Sequence, residues 1–218
     1  RGLHSATHDE ILSGATTDVY FLRSADILGH MGLDNKDVTA EIFARKNGIL
    51  AGVEEIKNIL KDKGVDVWAV DEGESFQAKE TLIRIKGPYC KFGIFETIML
   101  GSLASASGWA TAANEIRKAC KEKPFICFGA RHVHPAVAPV MERAAVIGGA
   151  NGVSCVLAAK LINIEPSGTV PHAPILIAGD TLEVATAYNQ ITPKEHRRIV
   201  LVDTFKDEIE ESLRIAKK

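Results

Sequence analysis

In residues 18–28 the apolar side chains Val19, Leu22, Ala25, Ile27 and Leu28 recur at nearly helical spacing, and the pattern predicts a first helix. The rhythm then shortens. Alternation across residues 38–45 predicts a strand, and Asn47-Gly48 predicts a turn into a second strand over 49–52. Residues 53–63 return to helical spacing and stop at Gly64, a residue suited to the left-handed backbone that closes a helix. Two more strands are predicted at 65–70 and 81–85, separated by the turn-forming Asp71-Glu72-Gly73-Glu74. Several strands with few helices make this first section α+β.

Residues 92–106 and 109–120 read as two helices meeting near Ser107-Gly108, rich in small side chains that allow close approach. After Lys121-Glu122-Lys123 the pattern becomes strand, helix, strand, helix: 125–128, 136–147, 152–156, 158–162, 167–170, 182–189, 198–202 and 208–216. Such alternation predicts parallel strands with crossover helices. About four βα units are present where a closed barrel needs about eight. The expected division is therefore an α+β domain over 1–120, connecting helices included, and the first part of an α/β barrel over 121–218. The short count and the missing initiator Met make the N-terminal portion of a longer protein the expectation.

Composition narrows the partners. The chain of 218 residues is 46% hydrophobic and 25% charged, with a net charge of -2 and no block of like charge, which disfavours nucleic acid or membrane and favours small molecules. Cys90, Cys120, Cys127 and Cys155 show no C-x-x-C spacing and read as reduced core thiols. The apolar run at 94–103 is too short to span a bilayer, and no signal-peptide core is visible, so a cytoplasmic protein is expected.

The segment from Lys123 to Arg131, KPFICFGAR, carries the clearest chemistry. A buried strand would deliver Phe128, Gly129 and Arg131 to its end. Phe128 offers a ring face, Gly129 close backbone approach, and Arg131 a planar fork for a carboxylate or phosphate. Together they predict recognition of a flat aromatic acid; in isolation they also read as ordinary packing and surface residues. Glu142 reads as a solvated position of the 136–147 helix. His132 and His134 lack a third ligand at recognisable spacing, so no metal site is expected there. Gly148-Gly149-Ala150-Asn151-Gly152 is not a dinucleotide-binding fingerprint.

Several blocks in order carry a family resemblance: 44–52 (ARKNGILAG), 95–97 (FET), 105–111 (SASGWAT), 128–131 (FGAR), 148–154 (GGANGVS), 168–172 (GTVPH) and 201–204 (LVDT). With them the chain resembles the type II phosphoribosyltransferases, and among these the nicotinate phosphoribosyltransferases of archaeal and bacterial type. The resemblance implies an open-sheet N-terminal domain followed by part of an irregular α/β barrel. It implies transfer of phosphoribosyl from phosphoribosyl pyrophosphate to nicotinate, with Mg²⁺ as cofactor and ATP as co-substrate, in a homodimer whose subunits share active sites. By the same resemblance Tyr20 would cover the pyridine ring from the partner subunit, with Phe128 and Arg131 on its other side. Ser154 would stand where nicotinamide-using relatives carry Asp, a hydroxyl that donates to the acid. Thr169 would contact substrate, His172 would lie near the pyrophosphate, and Asp203 near the ribose or the metal-bound pyrophosphate. Quinolinate members carry Arg-Lys where Arg131-His132 stand here, a denser positive charge suited to a dicarboxylate. The decarboxylating quinolinate enzyme and a non-catalytic binding module are the alternatives.

Overall fold

The computed structural model describes residues 2–217 and divides the chain into two compact units, 1–166 and 167–218. The first unit opens with α1 (His8–Leu12), closed by a reciprocal Thr7–Glu10 capping box, and α2 (Val19–His30). The strands β1 (Asp37–Phe43), β2 (Gly48–Ile49), β3 (Asp66–Ala69), β4 (Ser75–Phe76) and β5 (Thr81–Pro88) surround a single helix, α3 (Val53–Leu60). An antiparallel sheet of order β1-β5-β3 and a small β2-β4 ladder result. Alternation decides its faces: Ile42, Ile83 and Ile85 turn inward, while Glu41 and Arg84 meet on the exposed face at 2.6 Å. α3 buries Val53, Ile56, Ile59 and Leu60 on that core. Burying Ile56 contributes roughly 1.5–3 kcal/mol. The exposed Glu54–Lys57 pair on the opposite face is screened by solvent and adds little, so burial seats the helix.

Entry into α3 depends on Gly52. Its φ of +93° is left-handed, and a Cβ there would lie 2.9 Å from the carbonyl oxygen of Ser102. The predicted strand over 49–52 accordingly ends at Ile49, and β4, unforeseen, pairs with it.

Residues 96–120 form one helix, α4 (Glu96–Cys120), and not two. Gly108 faces open space, costing the helix about 1 kcal/mol without breaking it. Ser107 is small because it faces a strand end: its hydroxyl donates to Ala51 O and accepts from Ala51 N, at 3.2 and 3.1 Å. The α+β domain then gives way to parallel elements. β6 (Ile126–Cys127) and β7 (Gly152–Val153) pair in parallel, joined through α5 (Ala138–Ile147), and α6 (Val156–Leu161) follows. Gly148 lets α5 end against α4, since a Cβ would lie 2.1 Å from Ala110 O.

The second unit contains α7 (His172–Ala178), α8 (Thr181–Ile191) and α9 (Glu208–Ala216). The strands expected at 167–170 and 198–202 shrink to one parallel bridge, Val170–Val200, because each segment has a single pairing neighbour within the unit. Asp180 is the N-cap of α8, accepting from Glu183 N at 2.9 Å, and its other oxygen pairs with Arg214. The fold class is α/β: an open antiparallel sheet domain followed by parallel βα elements of the irregular-barrel kind. No described helix is long and apolar enough to cross a membrane. The four cysteines are free; Cys90 is exposed and the others are half-buried, so none is the fully buried core thiol expected.

Candidate active site

In the first unit the site grows from the parallel pair β6 and β7. Ile126 lies opposite Gly152 and Cys127 opposite Val153, and Ser154 N donates to Cys127 O at 3.1 Å to extend the ladder. At the other end of the strands, Asn151 accepts from Phe125 N and from Arg117, fixing their start. Asn151 therefore belongs to the scaffold of the glycine-rich block, as Gly148 does.

Beyond the strand ends stand Phe128, 46% exposed, then a 3-10 turn over Ala130–His132, then Ser154 and Cys155 after β7. Arg131 is exposed and makes no hydrogen bond or ion pair among the described residues. The exposed ring of Phe128 and the guanidinium of Arg131 thus stand three residues apart in the segment that follows β6. Gly129 serves a neighbour: a Cβ would fall 2.7 Å from the tip of Met141 on α5, so its absence makes room for that side chain.

The residue that organises these loops is Glu142. It is fully buried, and its carboxylate accepts from Ala130 N at 3.2 Å, Ser154 Oγ at 2.8 Å and Cys155 N at 2.6 Å. The expectation of a solvated helix position is thus corrected. Its spacing was the available signal, since Ala138, Met141 and Ala145 share the buried side of α5 with it. Ser154 is affected in turn. Its one hydroxyl proton goes to Glu142. Burial, joined by the charge of Glu142, pushes the Cys127 thiol above its usual range.

Next along α5, Arg143 reaches the sheet domain and grips Glu72 at 2.6 Å; Glu72 also accepts from Gly52 N at 2.7 Å. Burial raises the Glu72 carboxyl, but Arg143 and the backbone donors outweigh it and hold it below the usual carboxylate range. Tyr20 stands on α2 in the sheet domain, 66% exposed and edge-on to Phe21. Its position leaves a ring face open to solvent.

The second unit brings two predicted residues together. His172 begins α7, Asp203 follows the segment bridged through Val200, and His172 Nε2 lies 2.8 Å from Asp203 Oδ1 with both side chains exposed. The bond to His172 holds the Asp203 carboxyl below its usual range. Thr169, also exposed, precedes the bridging Val170. Among the described residues, no group of three His, Cys, Asp or Glu side chains is placed to hold a metal ion.

Two protein-family models match in tandem, the quinolinate phosphoribosyl transferase N-terminal domain over residues 18–107 and its C-terminal domain over 109–216. The chain belongs to the type II phosphoribosyltransferase family. A crystal structure of nicotinate-nucleotide pyrophosphorylase from Pyrococcus furiosus is 43% identical, with a TM-score of 0.94 over 100% of this chain and 57% of its own. Nicotinate phosphoribosyltransferase from Bacillus subtilis is 26% identical over 93% of this chain and 49% of its own length. One of the Mycobacterium tuberculosis nicotinate phosphoribosyltransferases is 28% identical over 64% of this chain and 30% of its own. This family member thus spans between about a third and three-fifths of the length of these relatives.

Proposed function

We propose that the protein transfers phosphoribosyl from phosphoribosyl pyrophosphate to the ring nitrogen of nicotinate, giving nicotinate mononucleotide and pyrophosphate for NAD synthesis. The observation that carries this reading is Arg131, an exposed guanidinium with no partner among the described residues, on the same strand-end loop as exposed Phe128. The pair can stack on a pyridine ring and bind its carboxylate in two-pronged fashion. One guanidinium matches one carboxylate, and the carboxylate of Glu142 lies behind the loops, bonded to Ala130 N and Ser154 Oγ. In the reaction the ring nitrogen lone pair forms a bond to ribose C1 as the C1–oxygen bond to pyrophosphate breaks.

A second reading, the decarboxylating quinolinate enzyme, has the better support from known proteins. Both family models carry the quinolinate name, and the structure at 43% identity is a nicotinate-nucleotide pyrophosphorylase, whereas the nicotinate phosphoribosyltransferases described above stand at 26–28%. Both readings share a pyridine carboxylate, phosphoribosyl pyrophosphate and the nucleotide product.

His172 and Asp203 are assigned to the phosphoribosyl pyrophosphate, and Thr169 to the same substrate. Asp203, held ionised by His172, fits Mg²⁺, which is ordinarily bound by one or two carboxylates together with substrate phosphates. The ion would supply positive charge to the leaving pyrophosphate. ATP coupling through His172 and a homodimer in which Tyr20 covers the partner's ring belong to the same proposal. A Tyr20→Ala protein mixed with an Arg131→Ala protein should regain activity above either parent; no gain would remove the shared site.

The deciding experiment supplies the full-length protein with phosphoribosyl pyrophosphate, Mg²⁺, and nicotinate, quinolinate or nicotinamide in turn, with and without ATP. Nucleotide is read by mass spectrometry and carbon dioxide by trapping. Nucleotide from nicotinate without carbon dioxide is the expected result. Nucleotide from quinolinate alone, with one carbon dioxide released per turnover, replaces it with the second reading. Binding of either acid with no nucleotide formed would make the protein a binding module.

A further inference from the structure

The proposed chemistry leaves one buried charge unused. Glu142 is 0% exposed and has no cation beside it among the described residues, whereas the other fully buried carboxylate, Glu211, is paired with Arg214. An unpaired buried anion is costly unless donors surround it. Here the three donors come from two loops: Ala130 N, immediately before Arg131, and Ser154 Oγ with Cys155 N, immediately after β7. A carboxylate accepts all three; a hydrocarbon could hold none of them, and an amide would turn an N–H toward at least one donor.

We infer that Glu142 is a positioning residue that ties the β6 and β7 end loops together, and so fixes Arg131 and Ser154 for the pyridine acid. It touches no substrate itself. With its proton engaged by Glu142, the Ser154 hydroxyl is held in one orientation at the end of β7. This inference rests on the pyridine-acid reading given above, but the tie between the loops can be read without turnover.

The test uses Glu142→Gln in the full-length protein, with two readouts. In hydrogen exchange, the amides of Ala130 and Cys155 should exchange about tenfold faster or more, while that of Asn151, bonded to Phe125 O, keeps its rate. In turnover, KM for the pyridine acid should rise about tenfold while KM for phosphoribosyl pyrophosphate stays within about twofold. Unchanged exchange at Ala130 and Cys155, uniform acceleration along the whole chain, or an equal rise in both KM values would each overturn the inference. A wild-type protein that makes no nucleotide would defeat the functional reading, and the exchange result would still decide the role of Glu142 as the tie. Should Glu142→Gln not fold, Ser154→Ala removes a single donor and should quicken Ala130 and Cys155 in the same pattern; no change there overturns it equally.

Discussion

Replacing Ser154 by Asp would set a second carboxylate against Glu142, whose oxygen lies 2.8 Å from the serine hydroxyl. Two negative charges about 4 Å apart at an effective dielectric of about 20 repel by roughly 4 kcal/mol. The alternative is for the pair to hold one proton at pH 7, which from a carboxyl range near 4 is about three pKa units, again about 4 kcal/mol. The control, Ser154→Ala, loses one hydrogen bond to a charged group, about 1.5–3 kcal/mol. At pH 7 the Asp variant should therefore unfold roughly 1–2.5 kcal/mol more easily than the Ala variant. The pH dependence has a definite sign. A carboxyl whose folded pKa is raised keeps its stabilising proton below the unfolded value near 4, and the deficit opens as pH rises. The charge penalty itself should be about 1.4 kcal/mol at pH 5 and about 4 kcal/mol by pH 7, so the Asp variant should be no less stable than the Ala variant at pH 5 and less stable than it at pH 7. Urea unfolding of wild type and both variants at pH 5 and pH 8 measures this. Equal midpoints for the Asp and Ala variants at both values would show that the introduced group does not meet Glu142, and would remove the central contact of the site.

Gly148→Ala should destabilise by more than about 3 kcal/mol in urea unfolding, because the new Cβ meets the Ala110 carbonyl, which a side-chain rotation cannot relieve. Glu72→Gln should cost about 1–3 kcal/mol at pH 7. Since the folded Glu72 carboxyl is held low, the native protein has this stability above the unfolded value and loses it as pH falls, so the variant's acid limb should be flatter by the same amount. Arg131→Lys should leave the unfolding midpoint unchanged, its guanidinium having no partner among the described residues, yet raise KM for the pyridine acid about tenfold. Asp203→Asn should lower turnover by about a hundredfold with no change in unfolding, both it and His172 being exposed.

Helices with a strong apolar stripe were legible in the sequence: Val53, Ile56 and Leu60 define α3 by spacing alone. Strand lengths were not, because pairing depends on a neighbour remote in sequence. Ile49 finds Ser75 and stops there, and Val170 finds only Val200. Ser107-Gly108 looked like a break because small residues signal both turns and close packing, and here packing against Ala51 prevails. At the site, Phe128 and Arg131 could be read as exposed groups at a strand end, and the structure exposes both. His172 and Asp203 were each placed at a strand end by the sequence, but the bond between them was not foreseen, because it depends on how two segments remote in sequence pair. Glu142 escaped because a charged residue on a helix is ordinarily solvated. Only the identity of its neighbours on α5 marks it as buried.

The unbroken course of α4 changes what the seam between the two family-model segments means. The matches part at residues 107 and 109, yet that point lies mid-way along a rod of 25 residues, about 37 Å long. Its first half inserts Ile98, Met99 and Leu103 into the sheet core; Ala106 and Ala110 pack beside Ala51 and Ala144; Ala113 packs with Ala145 and Ala150 near the strand pair. A helix transmits phase as well as length. One residue inserted at the seam would turn everything after it by about 100° and advance it about 1.5 Å, swinging Ala113 off Ala145 while Leu103 stayed in place. What reads in the family matches as a junction between modules behaves mechanically as a keyed shaft, intolerant of single-residue insertions that an ordinary interdomain linker would absorb.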